Sequence, residues 1–108
     1  MNNLNVEKFV AFCKDSATAN MEIKECDGCF FIATFGEYEI AVGWSEDDED
    51  VVAITSHYDG EWLGDVDYVV LHEDMTHDEC VEKIVYQMKD TFEDDVVYVF
   101  KSFFNKAA

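Results

Sequence analysis

The sequence contains no arginine and no proline, and its seven lysines face 25 aspartates and glutamates. The formal net charge is −18. Nucleic acid and anionic membranes are bound through Lys and Arg that neutralise phosphate, so this composition argues against contact with either. Without proline there is no Pro-rich linker to separate domains. No run approaches the roughly 18–20 apolar residues that a membrane-spanning helix needs. The opening "MNNLNVEKF" lacks a basic stretch followed by an apolar block. No signal peptide is therefore expected, and the cytoplasm is the expected site of action. No GxSxG, P-loop, HExxH or GxGxxG pattern occurs. His57, His72 and His77 do not come with the spaced nucleophile of any such pattern, so no catalytic activity and no cofactor are expected.

Apolar residues are not scarce. They make up 49% of the chain, with nine phenylalanines, which separates it from disordered acidic tails. A chain of 108 residues is expected to form one domain, spanning 1–108. At that length it buries roughly 60–70% of its unfolded surface, enough for a core without staples.

The charge is unevenly placed. Residues 37–95 hold 20 acids and two lysines, Lys83 and Lys89, which is the whole of the −18. The remaining residues hold five acids and five lysines. Repulsion on this scale opposes compaction, so a partner of opposite charge is the natural use for the field.

Periodicity outlines the elements. Asn5 can cap a helix whose apolar face is Val6, Phe9, Val10, Cys13 and Ala17. Five strands follow: "MEIKE", "CFFIATF", "YEIAVGW", "VVAITSHY" and "DVDYVVLHE". Asp27-Gly28 and Asp59-Gly60 are expected to form type I′ hairpin turns, with positive φ at both central residues. Thr76 and Glu79 make a capping-box pattern before a second apolar face of Cys80, Val81, Ile84, Val85, Met88 and Phe92. Residues 94–105 fit a helix through Val96, Val97, Phe100, Phe103 and Phe104, while "VVYV" also suits a strand. The expected fold is α+β: an N-terminal helix, an antiparallel meander of about five strands, and one or two C-terminal helices packed on one sheet face.

The most acidic stretch is "SEDDED", residues 45–50, between two apolar runs. It lacks the glycine of a calcium-binding EF-hand loop, and His57 stands where the twelfth-position glutamate would be. Like charges in such a loop also keep neighbouring strand edges in water. Acids recur at i, i+2 in Glu37/Glu39, Asp47/Glu49, Asp59/Glu61 and Asp65/Asp67. In a strand these positions share a face about 6.6 Å apart, so rows of carboxylates could imitate the phosphates of a nucleic-acid backbone. A Lys/Arg groove would be drawn to them. The candidate partner-binding residues are Glu37, Glu39, Glu46, Asp47, Asp48, Glu49, Asp50, Asp59, Glu61, Trp62, Asp65 and Asp67. Trp62, and after it Tyr58, are the candidate apolar anchors. Trp44 shares a face with Tyr38, Ile40 and Val42 and is expected in the core.

In size, charge and charge placement the chain resembles the small acidic DNA-mimic inhibitors that phages and mobile elements make against restriction, CRISPR or DNA-repair enzymes. The resemblance implies a basic, nucleic-acid-binding enzyme as partner and, for a phage-encoded protein, the host cytoplasm. The alternative is an acidic escort, an immunity protein or a secretion-chaperone-like protein holding one client through Phe100, Phe103 and Phe104.

Cysteine offers one further candidate. Cys26-x-x-Cys29 flanks a hairpin turn, and His77 and Cys80 are one helical turn apart, so together they could hold zinc. Cys13 and Cys80 also fit apolar faces. A Cys26–Cys29 disulfide is not expected, because the loop is short and the cytoplasm is reducing.

Overall fold

The computed structural model describes residues 2–16, 21–62 and 66–91. Asp65, the segment 94–105 and its phenylalanines lie outside them. The elements run α1 (Val6–Ser16), β1 (Glu22–Cys26), β2 (Cys29–Phe35), β3 (Tyr38–Trp44), β4 (Val51–Tyr58), β5 (Glu61–Trp62), β6 (Asp67–Val70) and α2 (His77–Thr91). The expected α+β arrangement is the one observed.

Both helices start where the sequence signals them. The Asn5 side-chain oxygen accepts the Lys8 N–H at 3.0 Å and caps α1. Thr76 Oγ1 accepts the Glu79 N–H at 3.2 Å, and Glu79 Oε1 accepts the Thr76 N–H at 3.0 Å. Two otherwise orphaned donors at the start of α2 are thereby satisfied.

The sheet is an antiparallel meander in the order β1-β2-β3-β4-β5, with β6 also paired to β4. The fifth strand expected from "DVDYVVLHE" is present as β6, and a further two-residue strand, β5, precedes it at Glu61–Trp62. Glu61 and Trp62 pair with the Tyr58 end of β4, and Asp67–Val70 with its Val51 end. From His57↔Trp62 to Ile54↔Asp67, β4 advances three residues while the facing chain advances five, so the two pairings differ in register by two residues.

One sheet face carries the core. Phe9, Val10 and Cys13 of α1 and Cys80, Ile84, Val85 and Met88 of α2 pack with Phe31, Ile40, Val42, Val52, Ile54 and Val69. A fully buried side chain of this size contributes about 1.5–3 kcal/mol through removal from water. The other face carries Ile32, Thr34, Glu39, Ala41, Gly43, Ala53, Thr55 and His57, and no helix among the described residues packs on it.

A β-bulge interrupts β2. Lys24 pairs with Ile32 but Cys26 with Cys29, so two steps along β1 face three along β2. The extra residue lets adjacent Phe30 and Phe31 both enter the core, which strict alternation forbids. Phe30 packs edge-on against Trp44 with centroids 4.9 Å apart, and Phe31 against Phe9 at 5.6 Å. Gly43 lies opposite the bulge. A Cβ there would sit 3.0 Å from both Cα and Cβ of Cys29.

The Asp59-Gly60 turn has φ of 50° and 80°, the expected type I′ pattern. The expectation fails at Asp27-Gly28, where Gly28 alone has positive φ (84°). The bulge beside that turn supplies strand twist that a type I′ turn otherwise provides.

Candidate partner-binding surface

The acid stretch forms the β3–β4 connection, and part of it is structural. Asp50 accepts the Asn2 N–H at 3.0 Å and Asn2 Nδ2 at 2.8 Å. These bonds hold the Asp50 carboxyl below its ordinary range, the side-chain bond to Asn2 being the largest cause. Asp48 Oδ1 accepts the Asp50 N–H at 2.8 Å, and Ser45 Oγ accepts the Asp47 N–H at 3.3 Å. Such side-chain-to-backbone bonds are what Asp and Ser contribute to turns. The loop closes with the Ser45 N–H on the Val51 carbonyl at 2.7 Å. Glu46, Asp47 and Glu49 remain exposed.

A second acidic group sits at the opposite end of β3 and β4. Glu37 and Asp59 occupy the two hairpin turns there, and the Asp59 N–H donates to the Glu37 carbonyl at 2.9 Å. The Tyr58 hydroxyl bonds the Glu37 side chain, which raises the Tyr58 pKa, with the Glu37 charge as the next cause. Tyr38 and Tyr58 stack obliquely at 4.7 Å.

Among the described residues the i, i+2 rows of carboxylates do not form. Glu37, Asp47, Glu49 and Asp59 lie in turns or the loop, where the two-residue repeat of a strand does not apply. Glu61 shares its register with Tyr58 and Tyr38, and Asp67 with Ile54, so both belong to the helix side of the sheet edge. Among the described residues, Glu39 is the one candidate acid within a strand that occupies the outer face. It stands in a transverse row with His57 and Trp62. Trp62 is 58% exposed, and Tyr68, in register with Ala53 on the same face, is 59% exposed. Between them Ala41, Gly43, Ala53 and Thr55 floor a concavity of ≈ 460 Å³, with Tyr68, Glu46 and Asp47 at its rim. Small side chains at four neighbouring positions leave that hollow.

The metal candidates part company. Cys26 and Cys29 are joined as a disulfide with Cα atoms 5.6 Å apart, within the ordinary range for such a bridge and contrary to expectation. Direct pairing across a two-residue turn brings them together, whatever the loop length. His77 Nδ1 accepts the Asn5 N–H at 3.0 Å, which places any ring proton of the neutral form on Nε2. Cys80 is buried on α2, and burial raises its thiol pKa. Among the described residues no three His, Cys, Asp or Glu side chains converge as a metal site.

Sequence reading identified Asn5 as a helix cap but missed Asn2, Asn3 and the contact between Asn5 and His77. Asn2 ties the acid loop, Asn3 Nδ2 donates to the carbonyls of Glu73 and Met75 at 2.9 and 2.7 Å, and Asn5 reaches His77. Three asparagines within the first five residues were the available signal. Among the described residues no helix is long and apolar enough to cross a membrane. No family model, curated protein or solved structure matches the chain.

Proposed function

We propose that this protein is a non-enzymatic acidic binding protein that occupies the Lys/Arg groove of a nucleic-acid-binding protein, imitating the charge of the nucleic acid. The observation that carries this reading is the placement of two exposed carboxylate groups at the two ends of one sheet face on which no helix among the described residues packs. Glu46, Asp47 and Glu49 stand at one end, Glu37 and Asp59 at the other, with Glu39 beside the second group. Six residue steps along β3 separate the ends by roughly 20 Å, about the rise of six nucleotides along one strand. Trp62 and Tyr68 supply exposed aromatic surface on that face, the residue type that anchors interfaces. The charge gives attraction and a steered on-rate, and the aromatics give the short-range part of the affinity.

The test begins with the immobilised protein and a nuclease-treated bacterial lysate. Capture of a nucleic-acid enzyme that salt and duplex DNA both release is the expected result. A variant with Glu37, Glu39, Glu46, Asp47, Glu49, Asp59 and Glu61 changed to Gln or Asn should lose that capture. Asp48 and Asp50 stay, because the loop needs them. Undiminished capture by this variant would refute the electrostatic reading. Capture of a single client that resists salt and DNA would favour the escort instead.

A further inference from the structure

Among the described residues the two edges of the sheet are unlike. Edge strand β1 is studded with exposed Glu22, Lys24 and Glu25, the charges that normally protect an edge from pairing. Strand β6 instead presents Tyr68 and Val70, both exposed. The Leu71 N–H donates to the Asp50 carbonyl at 2.8 Å, which sets the phase of the β4–β6 ladder. Alternate residues of an antiparallel ladder turn their backbone groups away from the partner, and in β6 these are Tyr68 and Val70. The Val70 carbonyl accepts Lys83 Nζ at 2.6 Å. Among the described residues the Tyr68 N–H and C=O and the Val70 N–H have no partner. A groove of ≈ 650 Å³ lies along this edge, walled by α2 through Glu79, Glu82, Lys83 and Tyr86. The charged residues lining it are Glu79, Glu82 and Lys83, and the Lys83 ammonium keeps its charge when it donates to the Val70 carbonyl, so the groove carries a balance of one negative charge.

We propose that the β6 edge takes an extended basic segment of the partner protein as an added strand, a refinement that rests on the basic partner proposed above. An added strand pairs its backbone with the open groups of Tyr68 and Val70. Alternation sends one set of its side chains toward Glu79 and Glu82 and the other toward Tyr68 and Val70. A second copy of this chain is a poorer occupant, since two molecules of net charge −18 would meet acid to acid.

The test is NMR on the ¹⁵N-labelled full chain, with an alternating Lys/Val octapeptide and its Glu/Val counterpart as probes. The Lys/Val peptide should shift the Tyr68 and Val70 amides and slow their hydrogen exchange, while the Glu/Val peptide leaves them unchanged. Val70→Pro should weaken the response at least tenfold, because it removes an outward donor and leaves the β4 ladder intact. Shifts confined to Glu39, Glu46 and Asp47 would overturn edge docking while leaving the electrostatic reading in place. No response to either peptide would also overturn it, and lysate capture would then judge the electrostatic reading separately. Exchange protection of Tyr68 and Val70 in the peptide-free protein would overturn it too. The edge would then already be occupied, and sedimentation would distinguish a second copy from another part of the same chain.

Discussion

Asp50 and Asn2 are 48 residues apart in sequence, and the Asp50 carboxylate holds both the backbone N–H and the side-chain amide of Asn2. The most acidic loop of the molecule is thus fastened to the amino end of the chain by one of its own carboxylates. These bonds favour the ionised form and depress the Asp50 pKa. A depressed carboxylate stabilises the fold above its unfolded value of about 3.9, and that contribution is lost as pH falls through the lower folded value. Asp50→Ala should therefore lower the urea midpoint at pH 7, and the gap from wild type should close in strong acid. Equal midpoints at pH 7 would mean that the pair does not hold in solution.

Gly43 is fixed by the backbone opposite it. Alanine there would place a Cβ 3.0 Å from Cα and Cβ of Cys29, neither of which is the flexible end of a side chain. Gly43→Ala should cost about 1–3 kcal/mol, in the range of other overpacked sites. Urea unfolding measures this, and an unchanged midpoint would mean that β2 and β3 lie far enough apart at the bulge to admit a Cβ.

The capping box at Thr76 predicts a smaller loss. Thr76→Ala removes the acceptor for the Glu79 N–H and should cost about 1 kcal/mol. Thr76→Ser keeps the hydroxyl and should recover most of it. Equal losses for Ala and Ser would assign the effect to the lost methyl group rather than to the cap.

The free thiols should be silent in the folded protein. Burial pushes the Cys13 thiol up to about 12 and raises that of Cys80. At pH 8 only about one Cys13 in ten thousand would be thiolate, the reactive form. A chromogenic disulfide reagent should therefore find almost no fast thiols in native protein. It should find two in urea and four after reduction. Four in urea without reductant would show Cys26 and Cys29 unjoined.

Much of this fold is legible in the chain. Asn5, Thr76 and Glu79 act within one helical turn, so their caps are local facts. The helix faces and the first four strands follow from repeats of 3.6 and 2, which depend only on backbone geometry. The extra two-residue strand β5 was not legible, because β4 chooses its partners along its whole length. Nor was the bulge, although adjacent Phe30 and Phe31 marked the place where alternation had to break.

The candidate surface divides the same way. The sequence alone determined the net charge, its concentration in residues 37–95 and the exposure expected of that much carboxylate, because charge is a sum over residues. Only the tertiary structure decided which acids share a surface. Register sent Glu61 and Asp67 to the helix side, turns carried Glu37 and Asp59 to one end, and Asn2 drew Asp50 into the scaffold. Each of these depends on partners far along the chain, which no local repeat records.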